Sequence, residues 1–536
     1  MVANRPSRQC DTRYLGGGRN SGWFFALCLL IIAINSSHAI SAEMASAGRQ
    51  TQPDSCIVAA NPTWSEPEHR AWRSLCDKDT VDLSQVPNQR LDPGSKGCLA
   101  TFATAGEKYP DPVIYGHDPG RLLSSTFFDD IFHNAKYFHF VENTPIRIRG
   151  AFIPALYISN VAVSALRIDN SLIGDVEVRN TKFDSSLSFC DFTTIKNRIV
   201  ASNLNAPEAE FYRVSVLSNC FYGVDPCLTI ENSSLPNVSI VLVNTDKINI
   251  TSTHVDNTLF MNEDNTKAIS IQDSSAGEIY MPKNTISILS FYTLDVKRGI
   301  SVGNVQWKRL PPRPGAPARS DLGSLLQVSR VATPRFNYSL TGSEVTLPDK
   351  IQFQENVIGT IFLGGDPLRW LQRIQGPPET VLDVYDTTAK TYAMRSRSAT
   401  ARELSYQREI LADAAEYNVS NYWGDAPRHI SRMVSRLVVG YGYYPEWGVL
   451  AIFGFVLIAW PIFATGATKI TSDTRPHSWF IFSLDTVIPI LSLDSRDNNI
   501  TFKGFRQYFL YFMRLLGAGL VFLVIAYLKQ AIFGPG

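Results

Sequence analysis

The sequence predicts a mainly β protein. Its bulk is a right-handed, quadrilateral β-helix on a five-residue, pentapeptide-like repeat, with an N-terminal cap, a helical segment after it and two C-terminal transmembrane helices. Three observations predict this. Apolar residues recur at every fifth position from Ile148 to Phe183. Two membrane-length apolar segments close the chain. A basic and then apolar leader opens it.

The repeat reads PIRIR, GAFIP, ALYIS, NVAVS, ALRID, NSLIG, DVEVR, NTKFD from Pro145. Its fourth positions are Ile148, Ile153, Ile158, Val163, Ile168, Ile173, Val178 and Phe183. An α-helix would leave about 140° between successive members. A plain strand would alternate them between faces, because five is odd. A coil that turns a corner every five residues keeps them all inward, and stacked coils make a solenoid with a dry core. Gly150, Asn160, Asn170 and Asn180 fall ten apart, and both residue types tolerate corner backbone. The spacing slips by one at Ser186 and then degrades with echoes such as Val238/Ile240 and Ile269/Ile271. We assign residues 141–365 to the solenoid, with a Pro-rich excursion at about 309–320, and residues 43–140 to the cap that covers its open strands. In that cap Pro67 to Cys76 is helix-like, with Trp72 and Leu75 as anchors.

Residues 1–42 read as a secretory signal peptide: Arg5, Arg8, Arg13 and Arg19, then the short apolar run Trp23–Ile34. Six cysteines follow it, namely Cys56, Cys76, Cys98, Cys190, Cys220 and Cys227, an even number suited to an oxidising compartment. Local bridges are expected between Cys220 and Cys227 and within the group Cys56, Cys76 and Cys98. The net charge of +1 supplies no field for nucleic acid.

Residues 366–444 form a helical juxtamembrane segment, residues 445–466 and 505–533 the transmembrane helices, and residues 467–504 the loop between them. In that loop Ser478–Leu493 is apolar but broken by Asp485 and Pro489, which favours an interfacial or re-entrant piece over a third span. From Thr468 to Arg506 the chain carries five basic residues (Lys469, Arg475, Arg496, Lys503 and Arg506) and the outer flanks four (Arg428, Arg432, Arg436 and Lys529), so the positive-inside rule weakly favours a cytoplasmic loop, by one charge. Arg514 is a charge inside the second apolar segment, within snorkelling reach of its polar end. Val439–Gly442 spells VGYG, but a channel filter stands between two spanning helices, and this motif precedes the first.

No dinucleotide fingerprint, P-loop, GxSxG or HExxH is present, and no cofactor is expected. Asp129-Asp130 with His133 reads as a solvated helix face. Arg147, Arg149, Arg167, Asp169, Glu177 and Arg179 point outward, with Arg147 over Arg167 and Arg149 over Asp169, as a solvated ladder.

Four segments carry a resemblance. They are AWRSLCDKDTVDLS (71–84), RLLSSTFFDDIFHN…PIRIRGAFI (121–153), VVGYGYYPEW (438–447) and FSLDTVIPILSL (482–493). Together they resemble bacterial pentapeptide-repeat-like β-helix membrane proteins, a family often labelled membrane-associated oxidoreductases. The resemblance implies no catalytic residues, and no residue here supports redox chemistry. Many members lack an export signal, so the leader departs from the pattern. The expected role is a membrane-anchored binding or scaffolding module at the bacterial inner membrane, its bulk periplasmic, with a cytoplasmic bulk as the alternative. Expected partners are membrane lipid and a protein or glycan, not nucleic acid. The alternatives are a β-helix enzyme acting on envelope polysaccharide and a channel or transport subunit.

Overall fold

The computed structural model describes residues 53–84, 98, 118–218, 227–310, 323–339, 346–417, 432–436, 440–465, 478–488, 502 and 504–533. The signal peptide, Cys220, Pro311–Arg319, Arg428 and the basic residues Lys469, Arg475, Arg496 and Lys503 lie outside them. The chain divides into two units, Met1–Thr63 and Trp64–Gly536. In the first, helix α1 (Pro53–Val58) carries Cys56, which is disulfide-bonded.

The second unit is built on a parallel-strand β-solenoid of about 10 turns. One inward column runs Val81, Ile148, Ile168, Phe189, Phe211, Ile240 and Met261, each beside the next across a parallel pairing. All are at most 1% exposed. So are Ile153, Ile158, Val163, Ile173, Val178 and Phe183. Full burial of each such side chain contributes roughly 1.5–3 kcal/mol, so this column system holds the unit together.

The corners are left-handed. Gly150, Asn160, Asn170 and Asn180 have φ of 68°, 57°, 42° and 48°. Gly150 is doubly constrained, because a Cβ there would lie 2.5 Å from the Ser84 Cα, just after the cap strand Val81–Asp82 that pairs in parallel with Ile148 and Arg149. Later corners use residues that adopt this backbone only at a cost of about 1–2 kcal/mol each, including Leu242, Glu263, Thr293 and Arg330. Stacking above and below imposes the corner there. Coil length also drifts: 20 residues from Ile148 to Ile168, 21 to Phe189, 22 to Phe211, 29 to Ile240, and 36 from Val302 to Tyr338.

Polar side chains just inside the corners bind the coil before them. Asn284 Oδ1 accepts from the Asp264 amide (3.1 Å), and its Nδ2 donates to the Met261 carbonyl (3.1 Å). Asn356 does the same with the Val331 amide and the Val328 carbonyl. Asp264 repeats half of this template: Oδ1 accepts from the Val243 amide at 2.9 Å, while Oδ2 is buried with no hydrogen-bond partner. Burial pushes its carboxyl well above the usual range, against the Val243 hydrogen bond. The folded chain therefore holds a proton that the unfolded chain releases, and stability falls as pH rises above about 4, the unfolded value. Asp264→Asn supplies a donor without taking up a proton, aimed at the Ile240 carbonyl by analogy with Asn284. We expect a stabilisation of about 1 kcal/mol at neutral pH that shrinks on acidification, read from thermal melts at pH 4.5 and 7.5.

Helices close both ends of the solenoid. At the N-terminal end stand α2 (Glu66–Cys76), α3 (Ser125–His133) and α4 (Ala135–Val141). Trp72, Phe127, Phe128 and Phe132 are at most 1% exposed beneath them. Glu68 joins two helix starts, accepting from the backbone and hydroxyl of Ser65 and of Ser124. Burial raises its carboxyl, but these four bonds outweigh burial and hold it below the ordinary value. At the other end stand α5 (Pro367–Leu371), α6 (Pro378–Met394) and α7 (Ser398–Tyr417). Trp370 packs on Tyr338 at 4.0 Å, Thr391 Oγ1 accepts from the Ile361 amide, and the Tyr392 hydroxyl donates to the Leu363 carbonyl. The segment read as juxtamembrane thus also covers the last coils.

Two helices, α8 (Pro445–Ala464) and α10 (Phe505–Phe533), contain stretches long and apolar enough to cross a membrane, Glu446–Ala464 and Phe505–Ile525. Between them lies α9 (Trp479–Val487), far too short to span. At the approach to α8, the Tyr441 and Tyr444 hydroxyls donate to Asp413 and Glu403 of α7, and Tyr444 stacks on Trp447.

Candidate functional site: a polar cleft on the solenoid wall

Along each strand alternate residues face the core and those between them face solvent. Just after the Ser252 corner, the outward column runs Ser234, His254, Ser275 and Asp295. The adjoining corner column runs Ser252, Asp273, Thr293 and Arg330, all left-handed. From His254 onward the two columns line an open cleft of about 450 Å³, with Ser252, His254, Asp273, Ser275, Asp295 and Arg330 on its polar surface.

His254 is the hinge of this surface. Its Nδ1 meets Ser275 Oγ, and its Nε2 meets Asp256 Oδ1 at 2.8 Å. Both side chains stay open to solvent, His254 at 45% and Asp256 at 52% exposure. Nucleophile, base and carboxylate in series are the connectivity of acyl-transfer sites. Such sites also need donors aimed at a developing oxyanion. Here the Ser275 amide is spent on the Thr253 carbonyl (3.0 Å), the Thr253 amide on Ser274 Oγ (3.1 Å) and the Ser252 amide on the Gln272 carbonyl (3.0 Å). The ladder that places the side chains consumes the backbone donors. What remains is a row of hydroxyls, carboxylates, an imidazole and a guanidinium, suited to hydrogen-bonding a polar ligand. Arg330 is partly committed, its Nε bonding Glu355 at 2.9 Å.

The residues singled out in the sequence sit elsewhere. Arg149 and Asp169 stack as registered, as do Arg147 and Arg167, but Arg149, Arg167 and Asp169 are 3%, 7% and 3% exposed, so the expected solvated ladder is corrected for these three, while Arg147, Glu177 and Arg179 keep contact with solvent. Arg167 Nε bonds both Asp169 oxygens at 2.9 and 3.0 Å. Cys98 lies on the outside of the same wall, bonded to Cys190 and not to a cysteine of its own group. Its amide donates to Glu210 at 2.9 Å, and Tyr212 and Val241 pack beside the bridge. Cys76 and Cys227 are also disulfide-bonded. Among the described residues, Cys98, Cys190 and Glu210 form the one grouping compact enough for a metal, and its two sulfurs are bonded to each other. His133 bonds Asp129 at 2.8 Å and the Ser159 carbonyl at 3.0 Å, while Asp130 accepts from the Trp64 indole at 2.8 Å, so that cluster fastens the cap. Gly440–Gly442 form a single turn before α8. Arg514 lies on the exposed side of α10.

Nothing in the sequence marked His254, Ser275 and Asp295. They are 21 and 20 residues apart, and that spacing becomes a signal only once the coil length is known.

The fold and cleft define a class: a parallel β-solenoid with helical ends and two apolar C-terminal helices. Compared with known proteins, the chain matches no family model, no curated protein and no solved structure.

Proposed function

We propose that the chain is a membrane-anchored recognition module of the bacterial envelope, holding its solenoid at the inner membrane to bind an envelope polysaccharide. The observation that carries this reading is the 450 Å³ cleft, where stacked coils line up polar side chains along one wall. A linear, hydroxyl-rich ligand matches a surface that repeats at strand spacing, about 4.8 Å. Anchoring is supported by α8 and α10, whose Leu450, Phe453, Leu515 and Phe522 are more than half exposed and would meet acyl chains. Export of the solenoid is supported by its disulfide-bonded cysteines. The resemblance to pentapeptide-repeat-like membrane proteins agrees with this architecture and adds no chemistry.

The test is titration of envelope glycan fragments into the full chain in nanodiscs. His254→Ala and Asp273→Ala are expected to weaken binding at least tenfold with circular dichroism unchanged. Absence of binding, or binding indifferent to both substitutions, overturns the reading. Glycan cleavage or deacylation in the same samples, lost in Ser275→Ala, would instead establish the enzyme that the Ser275–His254–Asp256 connectivity favours.

A further inference from the structure

Helix α9 is held in an unusual way. A Cβ on Gly517 of α10 would lie 1.9 Å from the Val487 carbonyl oxygen, so the last residue of α9 rests directly on α10 backbone. At about 1.5 Å per residue, Gly517 is some 18 Å along α10 from Phe505. The other end of α9 is at the opposite level. Phe480 packs edge-on against Trp460, and Phe482 against Phe463, both in the last turns of α8. That end of α8 is also where Arg506 reaches the Thr465 carbonyl.

The chain comes back to the same level. Phe502 packs on Phe463 at 5.2 Å, on Phe482 at 5.8 Å and on Trp479 at 6.5 Å. Residues 479 and 502 are therefore neighbours at one end of the helix pair, while Val487 lies deep between them in sequence. The α9 interior is adapted to low polarity. Val487 and Ser483 are fully buried, and the Ser483 and Thr486 hydroxyls bond the carbonyls of Trp479 and Phe482 in their own helix. Hydroxyls satisfied within the helix need no water at that depth. Ser478 caps the entry through the Phe480 amide.

We infer that α9 is a re-entrant wedge. It enters the leaflet on the side of Thr465 and Arg506, ends in the Gly517 slot near mid-membrane, and returns to the same side, its outer face against the acyl chains of that one leaflet. This rests on α8 and α10 spanning a bilayer. The deepest polar groups then belong to one leaflet, and the solenoid and the C-terminus share one side.

Single cysteines in the full chain, in right-side-out and inverted vesicles, test it with a membrane-impermeant maleimide, read against the parent chain. Ser478→Cys and Gln507→Cys should label from one and the same side. Ile488→Cys should label from neither until detergent is added. Labelling of Ile488→Cys from the side opposite Ser478→Cys would mean a third crossing. Labelling as fast as Ser478→Cys from its own side would mean a surface piece. Either overturns the inference. Gly517→Leu should raise the labelling rate of Ile488→Cys at least tenfold, and no change would remove the slot. Gly517→Ala serves if the leucine variant does not fold. An alkaline carbonate wash of the same vesicles reports separately whether the chain is membrane-held.

Discussion

Arg167→Ala is expected to destabilise the solenoid by about 3–5 kcal/mol at neutral pH, the cost of orphaning a buried charge. Asp169 is 3% exposed, and its carboxylate takes both hydrogen bonds from the Arg167 Nε. Burial raises its pKa to about 6, with Arg167 pulling it down and Asp191 pushing it up. A raised carboxyl favours the folded state while it is protonated. Stability from this group is thus highest below about 4, the unfolded value, falls as pH rises, and levels off above about 6. Without Arg167 the carboxyl rises further and the decline extends to higher pH. The deficit of the variant should therefore be larger at pH 7.5 than at pH 5, where Asp169 escapes by protonation. Denaturant melts of parent and variant at the two pH values measure it. A deficit that is equal at both would show that packing, not charge, is lost. The double variant Arg167→Met with Asp169→Leu should recover most of the loss, because replacing a whole buried pair with apolar groups is commonly neutral or better.

Opening the Cys98–Cys190 bridge is expected to cost about 4–5 kcal/mol, the chain-entropy value for a loop of this size. The two residues are 92 apart in sequence, so the bridge excludes a large share of unfolded conformations. It also fixes Cys98 to the outside of the wall, where it is 1% exposed and its amide reaches Glu210. Cys98→Ser with Cys190→Ser should lower the denaturant midpoint of the oxidised protein and leave a smaller further drop on adding a dithiol reductant than the parent shows. An unchanged midpoint would mean that the packing of Tyr212 and Val241 holds residue 98 in place without the bond.

How much of this was legible in the sequence follows from which forces act locally. The solenoid was legible because its early coils are locally consistent: Gly and Asn at each left-handed corner, and an apolar residue at each inward position, from Gly150 to Phe183. Beyond Ser186 Asn203, Asn232 and Asn304 keep the corner pattern, but other corners fall on Leu242, Glu263 and Thr293, whose backbone is set by the stack and not by their own preference. The repeat fades from the letters there while the ladder continues. The two apolar helices were legible because membrane length and composition are one-dimensional properties. The buried state of Arg167 and Asp169 was not, since both stand at outward positions of the repeat and burial there is not written in the five-residue period. Nor was the cleft, because His254, Ser275 and Asp295 meet only through a coil length that varies along the stack.

The uneven coils have a consequence for how such a chain can change. The inward columns stay aligned across coils of different length, as between Phe211 and Ile240 and between Val302 and Tyr338. Length can thus vary within a coil without altering the number of rungs. Gain or loss of a whole turn instead moves everything beyond it by one strand spacing, about 4.8 Å. The wall behaves as a ruler with fixed graduations, on which the distance of the cleft from its helical mooring can be reset only in whole steps.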